Sequence, residues 1–459
     1  MPGFQLLPDL AVQRKKNKPV MQKRTHLLLA ALLALSLSGF TQTTIYFPPK
    51  TGTIWETISP TSLGFCPERI DSLYRMLEDR NTKSFILLQD GKIVLEKYFG
   101  TFTRDSFWYW ASAGKSLSAF LVGQAQDEGL LDINKPTSAY LGAGWTSAPP
   151  DKEALITVRD QLRMTSGLDD GVPDVDCTDP ACLLYKADAG TRWAYHNGVY
   201  HLVHDVIEEA SGQSINLFTK TRLLDRVGMT GLWINHIQYG RARDMARFGL
   251  LMLANGVWSG DTLLRNQQYL YDMVHPSQTL NRSYGYLWWL NGQQSFMLSG
   301  LQLVIPGKVV PNAPDDMYMA LGKNDQKIHV VPSKRWVVVR QGESGTVGPN
   351  GGTVPIVLDN QIWDYLNKLV CTPVSTDNAE AVPGFRVWPN PATDGWNLQA
   401  DVAIERAELY ASDGRRVRVF EGTGVSNLRL DAVGLPAGVY GVRVFSGDKV
   451  VSTRVVSGN

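Results

Sequence analysis

The spacing of hydrophobic residues changes several times along the chain. Apolar residues recur at helical spacing over 67–80, and two apolar runs over 84–98 are separated by Asp90-Gly91, which predicts a β-hairpin. The pattern is mostly helical from 112 to about 260. Strand-like runs return after 284, and a closing helix is predicted over 359–370. This order predicts an α/β fold, in which a sheet covered by helices carries an inserted helical region.

Both ends of the chain depart from this pattern. Residues 1–42 join a basic segment to an apolar run and then to small residues, as in a secretory signal, and Met21 is a possible true start. The alternative is a buried N-terminal helix. Residues 43–65 predict an extended lead-in, 66–371 one main domain and 372–384 a polar linker. Short alternating strands over 385–459 predict a small β-sandwich.

Composition and charge exclude several classes of protein. The 459 residues include 45 basic and 44 acidic side chains, a net charge of +1 that argues against a dedicated nucleic-acid binder. Without residues 1–42 the net charge becomes −4. The apolar run of the signal is too short to span a bilayer comfortably, and no other stretch approaches a membrane span. We therefore expect an exported globular protein with no integral membrane span.

The four cysteines are expected to form disulfides, because an exported chain meets an oxidising compartment. Cys177 and Cys182 would close a short loop, and Cys66 would then pair with Cys371. No cysteine has a partner at zinc-finger spacing. His201 and His204 are three residues apart on a predicted helix, but no third ligand stands at a metalloprotease spacing. We expect neither a metal nor an organic cofactor.

One short motif suggests nucleophilic chemistry. Ser112 and Lys115 form an S-x-x-K pair at the start of a predicted amphipathic helix, where the lysine amine can reach the serine hydroxyl. Main-chain N–H groups at a helix N-terminus can also stabilise a developing oxyanion. By itself, the pair could equally be a capping serine with a surface lysine.

Three further elements follow in order along the chain: Met164-Thr165-Ser166-Gly167-Leu168, Tyr195-His196-Asn197 and Ala320-Leu321-Gly322-Lys323. With the S-x-x-K pair they resemble the serine β-lactamase and penicillin-binding-protein superfamily, and most closely its class C-like branch. That branch includes family VIII esterases and 6-aminohexanoate-dimer hydrolases. The resemblance covers roughly 66–371. It implies a β-lactamase/transpeptidase-like fold, with an antiparallel sheet flanked by helices and an inserted all-helical lobe.

The resemblance also implies roles for individual residues. Ser112 would be the nucleophile, Lys115 its base and Tyr195 a proton shuttle. Asn197 would orient the lysine or a substrate amide. The main-chain N–H groups of Ser112 and Lys323, beside Gly322, would form the oxyanion hole.

The chain departs from lactamases at the third motif, where they carry K-T-G. The aligned residues here are Ala320-Leu321-Gly322, so the lysine that grips a substrate carboxylate is absent. Lys323 stands one position later, which predicts a side chain on the other face of the strand. We therefore expect a serine hydrolase that cleaves an ester or amide bond in a small molecule or short peptide. A β-lactamase or D-alanyl-D-alanine carboxypeptidase, and a non-catalytic penicillin-recognition or adhesion protein, remain alternatives.

The C-terminal segment carries its own resemblance. Trp388-Pro389-Asn390-Pro391, the run from Ala407 to Gly414 and Leu435-Pro436-Ala437-Gly438-Val439-Tyr440 resemble the type IX secretion sorting domain of Bacteroidetes. This implies that export machinery binds residues 385–459 and that the protein passes the periplasm to the cell surface or medium. A carbohydrate-binding or adhesive sandwich is the alternative.

Overall fold

The computed structural model describes residues 45–345, 356–371, 382–412, 415–447 and 449–458. The predicted signal over 1–42, most of the predicted linker and residues 413–414 lie outside these residues. The chain divides into two compact units, Met1–Val370 and Cys371–Asn459.

The first unit is built on a six-stranded antiparallel sheet. Across the sheet its strands are β2 (Lys92–Tyr98), β1 (Thr82–Gln89), β13 (Trp336–Gly342), β12 (Gln326–Val331), β11 (Tyr318–Gly322) and β8 (Trp289–Leu290). Every residue of β11, β12 and β13 is buried. The sequence of β11 is apolar throughout, whereas β12 and β13 also bury polar side chains, namely Gln326, Lys327, His329, Arg340 and Gln341.

The predicted hairpin joins β1 to β2. Asp90 and Gly91 both have positive φ, 53° and 81°, as a two-residue hairpin turn of the mirror-image type requires. A Cβ atom on Gly91 would also lie 1.9 Å from the carbonyl oxygen of Tyr46. The turn therefore needs glycine for its conformation and for the close approach of the lead-in segment.

Helices cover the sheet and build the inserted lobe. Helix α1 (Pro67–Asp79) contacts α11 (Ile356–Asn367), and α9 (Ala242–Leu253) packs on β1, β12 and β13. In the lobe α2 (Gly114–Asp127) packs on α6 (Asn197–Ser211). The other helices are α3 (Ser138–Leu141), α4 (Pro150–Glu153), α5 (Val158–Arg163), α7 (Ile215–Thr219), α8 (Asp225–Val227) and α10 (Gln267–Met273).

Short elements connect these layers. The remaining strands of the first unit are β3 (Trp108–Tyr109), β4 (Leu232–Ile234), β5 (Ile237–Gly240), β6 (Val257–Trp258), β7 (Asp261–Thr262), β9 (Ser295–Leu298) and β10 (Leu301–Pro306). Single helical turns occur at Pro60–Leu63, Ala111–Ala113, Pro180–Cys182, Lys220–Leu224, Lys323–Asp325 and Pro332–Lys334. The first strand predicted after residue 284 is short, since only Trp289–Leu290 pairs with β11. The predicted class, an antiparallel sheet with flanking helices and a helical lobe, is confirmed.

The second unit is a small β domain with its own apolar core. Its strands are β14 (Arg386–Trp388), β15 (Gly395–Tyr410), β16 (Arg416–Asp431), β17 (Gly438–Ser446) and β18 (Lys449–Ser457). One edge of β15 pairs first with β14 and then with β17, while its other edge pairs with β16. Register shifts within the long β15–β16 pair accompany a curled sheet around Trp396.

The cysteines are oxidised. Cys177 is bonded to Cys182, as predicted. Cys66 and Cys371 are each disulfide-bonded as well. Within the part of the chain that the structure describes, no helix has both the length and the apolar character needed to cross a bilayer.

Candidate active site

The site begins at the junction between a short strand and a buried helix. Trp110, after β3, donates its main-chain N–H to the carbonyl of Gln238 at 2.8 Å. Ala111 then adopts a φ of 48°, which is uncommon for a residue with a side chain. Ser112 lies in the single helical turn Ala111–Ala113, and α2 starts at Gly114. The serine was expected as the first residue of the helix. It instead lies in a tight turn before it.

Lys115 faces Ser112 from the first turn of α2. Its Nζ atom is 3.0 Å from the serine Oγ, and the lysine is only 4% exposed. The amine lies over the rings of Tyr200, at 4.3 Å, and Tyr195, at 5.1 Å. Burial lowers the pKa of Lys115 from 10.5 to about 7, and the carboxylate of Asp176 acts in the opposite direction. A large share of these amines is therefore uncharged at neutral pH.

Tyr195 is held by other aromatic rings. Its ring stacks on that of Trp289 with centroids 5.9 Å apart, and Trp193 and Tyr284 pack against it. Burial raises the pKa of the Tyr195 hydroxyl, and a hydrogen bond with Ser112 partly offsets this rise. The phenol therefore stays protonated at neutral pH beside the Ser112 hydroxyl.

Asn197 is the first residue of α6, and Asp176, which precedes the Cys177–Cys182 loop, positions its side chain. Its Nδ2 atom donates to Asp176 Oδ1 at 2.9 Å, while its own Oδ1 is buried without a partner among the described residues. The main chain of Gly198 lies so close to the loop that a Cβ would be 2.1 Å from the carbonyl oxygen of Cys177. The Cys177–Cys182 loop therefore packs directly on the start of α6.

Gly322 ends β11 against the Ser112 segment. A Cβ atom on this residue would lie 2.3 Å from the Trp110 carbonyl oxygen and 3.0 Å from the Ala113 nitrogen. The absence of a side chain at Gly322 therefore allows the end of β11 to lie directly against the backbone of the Ser112 segment. β11 stops at Gly322, so the strand alternation from which the orientation of Lys323 was predicted does not extend into the following turn. Lys323 lines the same cavity as Ser112.

The cavity has a volume of about 380 Å³. Four of the residues predicted from the sequence line it, namely Ser112, Lys115, Asn197 and Lys323. The residues that sequence reasoning did not assign to the site are Ala111, Asp176, Tyr200, His201, Asn235, His236 and Ile237. Most of these residues lie in loops or at helix ends without a periodic pattern. The sequence offered two hints only: Asp176 stands beside a cysteine, and His201 was considered for a metal site.

Three histidines in or near the cavity, His201, His204 and His236, are not arranged around a cation. The rings of His201 and His236 stack at 4.4 Å, and His204 Nε2 is 2.8 Å from Ser118 Oγ. Burial, with the charge of Lys115 and His236 nearby, lowers the pKa of His201 to about 3. Among the described residues, no group of three or more histidine, cysteine or acidic side chains could hold a metal ion.

Comparison with known families agrees with this geometry. The family model described as "Beta-lactamase" matches residues 71–339, more than half of the chain. The chain belongs to the β-lactamase family. Members of this family are serine hydrolases, so acyl-enzyme chemistry at a serine is the family's chemistry.

Individual relatives are distant. The chain is 22% identical over 275 residues to the 6-aminohexanoate-dimer hydrolase of Paenarthrobacter ureafaciens, which covers 51% of this chain and 70% of the relative. A solved structure provisionally assigned as a 6-aminohexanoate-dimer hydrolase from Bacillus anthracis is 18% identical with a TM-score of 0.52, covering 73% of this chain and 95% of that one. A provisionally assigned β-lactamase from Bacteroides dorei is 18% identical with a TM-score of 0.53, covering 67% and 99%. The two structures support the fold.

The C-terminal unit has a family of its own. Residues 386–457 match the "Secretion system C-terminal sorting domain". The predicted type IX sorting domain is thereby confirmed, and the protein is directed to the cell surface or the medium.

Proposed function

We propose that the protein is an exported serine hydrolase that cleaves an ester or amide by way of an acyl-enzyme. The observation that carries the proposal is the Ser112–Lys115 pair, in which a buried amine with a pKa near 7 lies 3.0 Å from the serine hydroxyl. A hydroxyl becomes an effective nucleophile when a neutral base can take its proton.

Acylation follows from this arrangement. Neutral Lys115 takes the proton of Ser112 as the serine oxygen attacks the substrate carbonyl carbon. The main-chain N–H groups of Ser112 and Lys323 donate to the oxygen that becomes negative. Tyr195 then gives its proton to the leaving alcohol or amine, and the carbonyl–leaving-group bond breaks to leave an ester on Ser112.

Deacylation reverses the proton transfers. A water molecule gives a proton to the Tyr195–Lys115 pair and attacks the acyl carbon. The tetrahedral intermediate collapses, the acid product leaves and Ser112 regains its proton. Asn197, fixed by Asp176, orients Lys115 or the substrate's acyl group. The reaction needs no metal or organic cofactor.

The substrate class rests on the third motif. The lysine that lactamases carry two positions before the aligned glycine is absent here, and Lys323 is exposed in the turn that follows Gly322. This favours small or short-peptide esters and amides over β-lactams. The name of the Paenarthrobacter relative, a hydrolase of an amide dimer, supports the amide side of the proposal.

A labelling experiment tests the proposal. A fluorophosphonate probe should attach to the tryptic peptide containing Ser112, as read by mass spectrometry. Short p-nitrophenyl esters or amides should be turned over at least about tenfold faster than nitrocefin or a D-alanyl-D-alanine peptide. Fast nitrocefin turnover would instead favour the lactamase alternative. A folded protein that takes up no probe, and whose measured functions survive Ser112→Ala, would be a non-catalytic recognition or adhesion protein.

The pH dependence of kcat/KM should show the titration of the Lys115 amine. Activity requires the neutral amine, so kcat/KM should fall as the pH drops through about 7. Asp176→Asn keeps an oxygen acceptor for Asn197 but removes the carboxylate that raises the lysine pKa. We expect it to move the acid limb to lower pH by roughly half a unit.

A matched control for this shift is available on the same loop. Asp179→Asn removes another exposed carboxylate and should leave the profile in place. His201 should not contribute to the acid limb, because its pKa lies near 3. A shift towards higher pH in Asp176→Asn would contradict the assignment of the limb to Lys115.

A further inference from the structure

We propose that Gln326 and Arg340 are positioning residues, which hold the turn over Lys323–Asp325 so that the Lys323 N–H points at the reacting carbonyl. The inference rests on the proposed function, in which this N–H is an oxyanion donor. Neither residue lines the cavity that contains Ser112. Their effect on the reaction would pass entirely through the backbone of the turn.

The backbone of the turn adopts a conformation that its own residues do not favour. Asn324 and Asp325 have φ values of 61° and 63°, so two consecutive residues with side chains occupy the left-handed region. Such conformations are sparsely populated and persist where the surrounding structure imposes them. The amide before them, that of Lys323, is therefore placed by contacts from elsewhere in the fold.

Gln326 supplies the first set of contacts. The side chain is fully buried, and its Nε2 atom donates to the carbonyls of Lys323 at 3.2 Å and Asn324 at 2.9 Å. The same amide bonds both main-chain groups of Gly342, at 2.7 Å and 3.1 Å. One side chain thus ties the turn to the end of β13.

Arg340 supplies the second set. Its guanidinium is fully buried, and Nη1 donates to the carbonyls of Asn324 at 3.1 Å and Asp325 at 2.9 Å. Its other nitrogens donate to Arg80, Glu343 and Thr82. A planar group with five donors in fixed directions suits such a junction better than a flexible ammonium would.

The side chains of the turn are also held. Asp325 Oδ2 accepts from the main-chain nitrogen of Gly345 at 2.8 Å, and its Oδ1 lies 3.0 Å from Lys327 Nζ. Asn324 Nδ2 donates to the Tyr109 hydroxyl at 2.7 Å, which joins the turn to the strand that leads to the nucleophile. Together with the bonds from Gln326 and Arg340, these contacts hold the turn on all sides: each of its three main-chain carbonyls accepts a hydrogen bond from one of these two buried side chains.

The proposed reaction explains why so many hydrogen bonds hold this turn. The turn follows Gly322, which touches the Trp110–Ala113 segment, so the Lys323 amide and Ser112 must keep one fixed separation. An error of about 1 Å in the placement of a reacting or stabilising group can lower a rate about 100-fold. A surface turn with no part in the reaction would not need two buried polar side chains to define it.

The experiment compares two buried glutamines in the full-length protein. Gln326→Met removes the bonds to the turn, whereas Gln341→Met removes bonds from an equally buried glutamine to Ser84 and Gly240. Both variants should lose similar thermal stability. Only Gln326→Met should speed amide hydrogen exchange over 322–325 and lower kcat/KM by about 10- to 100-fold, mainly through kcat. Its affinity for a boronic acid, which forms a tetrahedral adduct on serine, should fall in parallel.

Several outcomes would overturn the inference. Unchanged exchange in Gln326→Met would show that the turn holds without it, and faster exchange with unchanged kcat/KM would show that its position does not matter. If Gln326→Met fails to fold, Arg340→Lys provides the same readouts with the positive charge kept. A wild-type protein that neither takes up fluorophosphonate at Ser112 nor hydrolyses any ester or amide would overturn the proposed function itself, without reference to a variant.

Discussion

Replacing Lys115 by methionine should remove catalysis and, at the same time, make the protein more stable. Loss of the base that we propose for Ser112 should reduce kcat by about 10³- to 10⁴-fold, near the upper end for general-base catalysis. The two side chains have similar volume, so the buried site at the start of α2 should stay filled. The measurements are steady-state kinetics and thermal unfolding at pH 7.

The stability gain follows from the pKa of the amine. Folding lowers the pKa of Lys115 from 10.5 to about 7. Between these values the unfolded chain binds a proton that the folded chain does not, so stability falls by about 1.4 kcal/mol for each unit as the pH drops from 10.5 to 7. Below pH 7 both states bind the proton and no further loss occurs. Methionine has no such proton, and we expect a gain of a few kcal/mol at pH 7.

A second buried lysine provides the control. Lys327 lies 2.6 Å from Asp359 and 3.0 Å from Asp325, so Lys327→Met would leave two buried carboxylates without their cation. That variant should lose stability, since breaking a buried ion pair costs roughly 3–5 kcal/mol. If Lys115→Met behaved in the same way and kept its turnover, the lysine would be a structural residue and the mechanism would be wrong.

Gly322→Ala should lower kcat by about 10²- to 10³-fold, the loss seen when one oxyanion donor is removed. The added Cβ would lie 2.3 Å from the carbonyl oxygen of Trp110, a backbone atom that cannot rotate away. Either the end of β11 or the Ser112 segment must move, and both carry groups that the proposed reaction needs. KM should change much less than kcat, which steady-state kinetics on a p-nitrophenyl ester would show.

A different glycine separates this effect from simple destabilisation. On α9, a Cβ at Gly249 would lie 2.5 Å from a methyl group of Val337 and 2.9 Å from one of Ile328, within the core and away from the cavity. Gly249→Ala should lower the melting temperature and leave kcat intact. If Gly322→Ala lost only stability, its tight contact would have no part in catalysis.

The elements of the fold that rest on local chemistry could be predicted from the sequence. The Asp90-Gly91 turn defined its hairpin because both residues tolerate positive φ. Ser112, Lys115 and Gly322 were recognised from short motifs, since chemistry constrains their spacing or their size. Their convergence could be expected only through the resemblance, because Gly322 is 210 positions from Ser112 in the sequence.

The features of the site that could not be predicted are set by where strands and helices end and by how loops pack against them. The prediction for Lys323 relied on strand alternation, and the sequence does not reveal that β11 ends one residue earlier. Asp176 lies on a loop without periodicity, and its relation to Asn197 appears only when the loop packs on α6. Likewise, nothing in the pattern around Gln326 and Arg340 reveals that their donors meet on one turn.

The Cys177–Cys182 loop connects the shape of the cavity with the protein's destination. The bond closes only a few residues, yet it restrains the segment that carries Asp176 and that lies against Gly198. Such bonds form in oxidising compartments and not in the cytoplasm. One wall of the pocket therefore reaches its final form during export, so the place where the polypeptide is made and the place where it becomes fully assembled are different.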